Sequence, residues 1–587
     1  MHHERPDGPA DEAAGAARPA ASATSATSSE IRPGIPAPGR EPRPTAASAA
    51  PPSGAAPVTG RARASGAAPP TDDAYAPGGA GGTPSGVLAP ESEPLSAGLK
   101  QRHLTMLGLG GVMGAGLFVG SGAGIAVAGP GIVVSYLVAG ALVTCVMRML
   151  GEMSAALPAS GSFSVHAERG LGRWAGFTAG WMYWFMLVVV LAVEATGAAG
   201  IAHGWLPGVP QWAWVGAFML VFTVSNLAAV RSFGEFEFWF AALKVAAIVL
   251  FLLLGVLAIL GLLPDTRAVG LHNLTGARGG FLPSGWDGVL SGVLAVVFAF
   301  GGLEVVTIAA AESDDPAVSV ARAVRSAAYR IVFFYVGSML VIVTVLPWTA
   351  QKAGLSPYVT VLDALRVPSA ATIMNIVVFV ALLSSLNANL YGSSRMIFSL
   401  AERGEAPKAL LKVAQGVPRA ERRRGEDVGE GEDHEGARAP ALGPSGGRGG
   451  GGGGGVPRRA VFASVVFGFV SVVLNLKWPD TVFLYLLNAA GAVLLYVWAL
   501  IAATQLRLRR LLEREAPERL VLRMWAYPWL SRAVLVVMAA VLGLMAHDPS
   551  TRPQVLWSTG ALAVLLAVAG ARELRARRAR RPGQDGT

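Results

Sequence analysis

The fifteen residues GLGGVMGAGLFVGSG (Gly108–Gly122) form an apolar stretch that a regular helix suits poorly. Seven of them are glycine, and each glycine in a helix interior costs about 1 kcal/mol relative to alanine. The apolar run around them is long enough to cross a bilayer, covering roughly residues 105–126. Small residues do line close helix contacts in membranes. Here, however, Gly114, Ala115 and Gly116 follow closely on Gly110 and Gly111, more than the packing of one face requires. The expectation is an unwound segment in the membrane. Backbone N–H groups freed there are tolerated only where they line a cavity or bind something.

Working outward, the rest of the chain is built for the same solvent. Of 587 residues, 52% are hydrophobic and only 15% are charged, with a mean hydropathy of +0.48. Soluble proteins carry about 25% charged residues. The net charge of +10 lies beside long apolar runs, the pattern of a membrane protein rather than a nucleic-acid binder. A single cysteine, Cys145, excludes an intramolecular disulfide and a CxxC metal site. The eight histidines form no HExxH or HxxxH pair, and no GxxxxGK[ST] occurs, so neither a metal nor a phosphate-bearing cofactor is expected.

The apolar runs predict an all-α integral membrane protein with twelve transmembrane helices. They lie near 105–126, 131–155, 178–203, 212–230, 236–262, 288–310, 328–347, 370–392, 460–476, 481–504, 525–545 and 553–571. Residues 1–98 hold no Phe or Trp and one Tyr, Tyr75, and are expected to be a disordered cytoplasmic tail. A second low-complexity stretch at 403–459 holds seven consecutive glycines, Gly449–Gly455, and reads as a disordered insert. Basic residues mark the inner side. The predicted inner loops carry Arg169, Arg173, Arg231, Arg322, Arg325, Lys408, Lys412 and the cluster from Arg507 to Arg523, and residues 572–587 form a basic tail. Both termini are therefore expected in the cytoplasm, in a multi-pass protein of the inner (plasma) membrane.

The sixth span repeats the theme of the first. VFAFGGLEVVTIAAAES places Gly301 and Gly302 at mid-span, followed by Glu304. Residues 99–262 and 288–506 then hold five spans each, and 524–571 adds two C-terminal helices. An odd number of crossings inverts the second set, which predicts a 5+5 inverted repeat with helices 1 and 6 broken and a substrate held between the breaks.

Four motifs, GPGIVVSYLVAGALVTCVMRMLGEMSAALPASGSF (Gly129–Phe163), FGEFEFWFAALKV (Phe233–Val245), FAFGGLEVVTIAAAESDDP (Phe298–Pro316) and NANLYGSSRMIFSLAERGEAPK (Asn387–Lys408), follow one another along the chain. With the first-span glycines they resemble the amino acid–polyamine–organocation superfamily, in particular its bacterial branch of GABA, proline, lysine and aromatic permeases. The resemblance spans residues 99 to about 545, apart from the glycine-rich insert.

An amino acid brings a carboxylate and an ammonium, both costly to desolvate unpaired. The N–H groups of Gly114, Ala115 and Gly116 suit the carboxylate, aided by the positive end of a half-helix. Carbonyls around Phe298, Ala299, Phe300 and Gly301 suit the ammonium, and the resemblance implies the same division. It also implies that Phe298 closes over the substrate as an aromatic gate, where the residues alone read equally as a packed ring. Lys244 lies about 12 Å into the fifth span. Its stem allows snorkelling to the interface, whereas the resemblance implies a charge standing where sodium-coupled relatives hold an ion, and hence proton coupling. Glu194 and Glu304 are ionisable groups inside spans, candidates for carrying the proton or meeting the ammonium. Ser384, Ser385 and Asn387 either face this site or bond between helices. Arg148 and Glu152, one turn apart, read as a local ion pair near the inner edge. The expected function is proton-coupled amino acid import by alternating access, with the amino acid, the proton and the lipid bilayer as partners. The alternatives are an amino acid/amine exchanger and, from another class, a membrane amino acid sensor. No enzyme chemistry is expected.

Overall fold

In hydrocarbon a backbone must satisfy its own hydrogen bonds, and a helix does so within one segment. The computed structural model describes residues 113–157, 162–228, 233–263, 268–276, 279–311, 315–351, 354–411 and 458–579. Among these residues every regular element is helical. Nine helical stretches are long and apolar enough to cross a membrane, and two shorter apolar helices accompany them. The tail at 1–98, the start of the first span with Gly108, Gly110 and Gly111, and the insert's 412–457 lie outside the described residues.

In chain order the main helices are α1 (Ser121–Ala128), α2 (Ile132–Ala156), α3 (Ser162–Leu171), α4 (Arg173–Trp205), α5 (Gln211–Ala228), α6 (Phe233–Ile259), α7 (Gly285–Val297), α8 (Leu303–Ala311) and α9 (Pro316–Arg330). They continue as α10 (Gly337–Val345), α11 (Pro357–Ala364), α12 (Ala370–Glu402), α13 (Arg458–Lys477), α14 (Val482–Glu515), α15 (Trp529–His547) and α16 (Arg552–Ala579). The first two expected spans run on as one stretch, Gly116–Ala156. A tight Gly129–Gly131 turn interrupts it, where Gly129 holds φ at +59° and Pro130 starts the next helix.

Helix α4 is the axis of the bundle. It packs against α3, α5, α12, α13, α14 and α16. Gly176, Gly180, Ala195 and Ala199 among its small residues are buried and admit these neighbours closely. By contrast α16 buries only 22% of its most apolar window, so its other faces are left for lipid.

Two expectations change at the end of the bundle that holds Glu152 and Arg403. Residues 403–411, read from sequence as part of the insert, continue the fold. Arg403 donates to Ser164 Oγ at 2.9 Å and pairs with Glu405 at 3.1 Å, and Lys408–Leu411 form a helical turn. Glu152 takes its partners from distant sequence instead of from Arg148. It accepts from Gln505 Nε2 at 2.7 Å, from Arg509 Nη1 at 2.6 Å and from the Met524 N–H. Arg148 turns to the Arg523 carbonyl at 2.8 and 3.0 Å. A buried carboxylate needs several donors, and the segment joining α14 to α15 supplies one that no neighbour on α2 can.

Helix α3 lies outside the spans and buries His166, whose Nε2 is 3.1 Å from Ser154 Oγ. Burial first, then the charge of Arg169, push this imidazole from 6.5 down to about 4. Between those values the unfolded chain binds a proton that the folded chain refuses, so stability falls as pH drops through the window. Detergent-solubilised protein should therefore melt lower at about pH 5 than at about pH 7, and His166→Gln should remove part of the difference. An unchanged difference in the variant would contradict this reading.

Candidate substrate and coupling site

The second glycine pair does interrupt a helix. After α7 the chain tightens into a 3₁₀ turn, Phe298–Phe300, and the Gly301 N–H donates to the Phe298 carbonyl at 3.1 Å. Gly301 is extended, at φ −60° and ψ 134°, and Gly302 has φ +98°, a region that favours glycine. Helix α8 then restarts. Glu304 in its first turn bends back so that Oε2 accepts the Gly302 N–H at 3.1 Å, capping the new helix with an acid at its positive end. The residue is 0% exposed, the Trp498 indole stands beside its carboxylate, and among the described residues its Oε1 makes no well-aligned hydrogen bond.

The first glycine motif presents a helix start. The Gly114 carbonyl accepts from Leu117 and Phe118, both at 3.2 Å, and Gly116–Gly120 form a widened π turn. The Ala115 N–H reaches out of its own helix to the carboxylate of Glu194 on α4, 3.1 Å from Oε1 and 3.2 Å from Oε2. Gly114 is shaped by the same carboxylate, since a Cβ there would stand 2.3 Å from Glu194 Oε1 and 2.8 Å from Ser385 Oγ.

The two segments meet at Gly116. A Cβ on this residue would lie 2.6 Å from the Ala299 Cα and 2.9 Å from a ring carbon of Phe298. Phe298 is wedged between this point and Gly491 on α14. Phe300 faces elsewhere, stacking on Tyr335 at 5.0 Å and meeting Tyr136 edge-on at 5.8 Å. Gly301 lies against Leu494.

Lys244 on α6 is 1% exposed and feels the charges of Glu237 and Glu194. Burial of that kind is tolerated only with opposite charge nearby. Glu237 accepts from Ser384 Oγ at 2.9 Å, which places Ser384 in this cluster, whereas Asn387 bonds across helices to Asn226 at 2.7 Å. The structure thus brings together Gly114, Ala115, Gly116, Glu194, Phe298 and Ala299, sets Lys244 within electrostatic reach, and puts Glu304 at the head of the opposite half-helix. Sequence reading missed Glu237. The signal was present, because Glu237 and Lys244 are seven residues apart, two helical turns on one face.

A helical membrane protein with an interrupted helix set against buried charge fits the solute transporters, and the sequence comparisons supply the family. The family described as "Amino acid permease" matches residues 103–422 and 450–569. The chain is 44% identical to the Gamma-aminobutyric acid permease of Bacillus subtilis over 458 residues, covering 78% of this chain and 89% of that protein. It is 43% identical over 492 residues to the Probable GABA permease of Pseudomonas aeruginosa, covering 84% and 95%. It is 44% identical over 472 residues to the Aromatic amino acid transport protein AroP of Corynebacterium glutamicum, covering 80% and 93%. The chain belongs to the amino acid permease family, within the amino acid–polyamine–organocation superfamily, and is a multi-pass membrane transport protein rather than an enzyme.

The contact at Gly116 makes a direct test. Gly116→Ala must push two backbones apart, an overpacking cost of about 1–3 kcal/mol. Gly200 on the same bundle has nothing within 4 Å of its Cβ position. Gly116→Ala should cut substrate uptake about tenfold or more at equal membrane expression, and Gly200→Ala should leave it unchanged. Equal uptake in the two variants would show that the contact does not matter.

Proposed function

We propose that the chain imports an amino acid together with a proton by alternating access, with a γ-amino acid such as GABA as the first candidate substrate. The observation that carries this reading is the meeting of the helix start at Gly116 with the interrupted helix at Ala299, beside the buried charges of Glu194 and Lys244. The topology that goes with it has twelve spans, a 5+5 inverted repeat with helices 1 and 6 broken, and both termini in the cytoplasm. Gly116–Ala156, at 41 residues, is about 60 Å of helix, twice a hydrocarbon core, and so reads as two crossings.

In this mechanism Gly114, Ala115 and Gly116 bind the substrate carboxylate. Glu194 holds the Ala115 N–H while no substrate is bound, and yields it to the incoming carboxylate. Glu194 then turns to Lys244 or takes up the proton, and the exchange of partners links the two solutes. The carbonyls of the Phe298–Gly301 turn and Oε1 of Glu304 receive the ammonium. Phe298, pressed against the Gly116 contact, closes over the bound molecule. Two of the relatives are GABA permeases by name, which favours GABA over an aromatic substrate.

The test is uptake of labelled GABA, proline and aromatic amino acids into proteoliposomes, with and without an inward proton gradient, and with Lys244→Ala. Gradient-dependent concentrative uptake of GABA that falls about tenfold or more in the variant is expected. Uptake driven only by amino acid loaded inside, indifferent to the gradient, would refute symport in favour of exchange. Binding without any flux would refute transport in favour of a sensor.

A further inference from the structure

The first turns of α9 carry positive charge that the transport site does not use. Val320, Val324, Ala327 and Ile331 are buried on the side that packs against α2 and α8. On the opposite side Arg322, Arg325 and Tyr329, spaced i, i+3 and i+7, share an exposed stripe that continues into Val332 and Phe333. The stripe changes character along its length, basic at one end and wholly apolar at the other.

Around it opens a cavity of about 400 Å³, lined by Arg322, Arg325, Ser326, Tyr329, Arg330 and the rings of Phe333 and Phe334. Arg330 is 7% exposed, and its guanidinium is oriented by Ser326 Oγ, which accepts from Nη2 at 2.9 Å and from Nε at 3.3 Å. No carboxylate is among the lining residues. The acid nearest in sequence among the described residues, Asp315, caps the start of the same helix by accepting the Val318 N–H at 3.1 Å.

We propose that this cavity is a binding site for an anionic phospholipid, with the phosphate held by Arg322, Arg325 and Arg330 and an acyl chain running over Tyr329, Phe333 and Phe334. The exposed guanidinium groups of Arg322 and Arg325, set beside Arg330 at the cavity wall, complement a phosphodiester and present paired donors to its oxygens. The distance commits the site to a lipid. From Arg322 to Phe333 is eleven residues, about 16 Å of helix, the drop from headgroup depth to well inside one leaflet. A free phosphate would use the arginines and leave the exposed rings bare. The cavity also includes Phe333 and Phe334 of the π turn Ile331–Val336, whose Tyr335 stacks on Phe300 of the interrupted helix.

The experiment is native mass spectrometry of the full-length purified protein with dioleoylphosphatidylglycerol or dioleoylphosphatidylcholine, with inorganic phosphate as competitor. The comparison is with Arg322→Gln/Arg325→Gln and with Arg507→Gln/Arg510→Gln, an exposed pair of the same spacing on α14. Wild type and the α14 variant should retain phosphatidylglycerol in preference to phosphatidylcholine, and the α9 variant should retain it about tenfold less. Phosphate at millimolar concentration should not displace it. Equal retention by the α9 variant, or equal loss in both variants, would overturn the site. Displacement by phosphate in wild type would show a free-anion site and would equally overturn it, whether or not the α9 variant folds.

Discussion

A helix that stops inside a membrane leaves donors and acceptors that water cannot reach, and the centre of this protein is organised around satisfying them. At the interruption after Phe300, Glu304 turns back onto Gly302, the residue just before the helix restarts at Leu303. At the start of the first described helix the donor is Ala115 and the acceptor comes from another helix, the carboxylate of Glu194. That bond ties the start of the first described helix to α4, the element against which most of the bundle packs. A carboxylate with negligible exposure in turn demands positive charge or donors nearby. Ala115 supplies a donor at the positive end of a helix, and Lys244 supplies charge from α6.

The same solution appears around Glu152 with different parts. Glu152 gathers Gln505, Arg509 and the Met524 N–H, while Arg509 also holds Glu513 at 2.9 Å and lies over the Tyr527 ring at 4.3 Å. Gln505 passes the network on to Ser531 at 2.9 Å. One buried acid therefore fastens α2, α14 and the start of α15 together. Removing one partner from such a cluster leaves a desolvated charge behind, which is why these groups hold their positions although a hydrophobic substitute for the whole set would cost little.

Much of this was legible in the residues because the physics is local. Gly301 and Gly302 announce an interruption since φ of +98° suits little else, and Gly114 and Gly116 since a Cβ at either would strike Glu194 or Ala299. The apolar runs locate the helices because nothing else can cross hydrocarbon. What stayed hidden depends on pairing across long stretches of chain. Arg148 is the obvious partner for Glu152 at a spacing of four, yet the partner is Arg509, 357 residues away. Glu237 carries an acid two turns from Lys244, but only the approach of α12, with Ser384, makes it part of a buried cluster. The start of the insert was placed too early because the charged residues after α12 look like loop, whereas Arg403 and Glu405 are bonded into the fold.

The account turns on the Ala115 N–H having two competing acceptors, Glu194 in the empty protein and the substrate carboxylate in the loaded one. The most direct measurement is a cryo-electron microscopy structure of the protein saturated with GABA. The account predicts density for the substrate carboxylate within hydrogen-bond distance of the Gly114–Gly116 N–H groups, with Glu194 moved off Ala115 toward Lys244. A substrate bound elsewhere while Glu194 keeps both oxygens on the Ala115 N–H would contradict it.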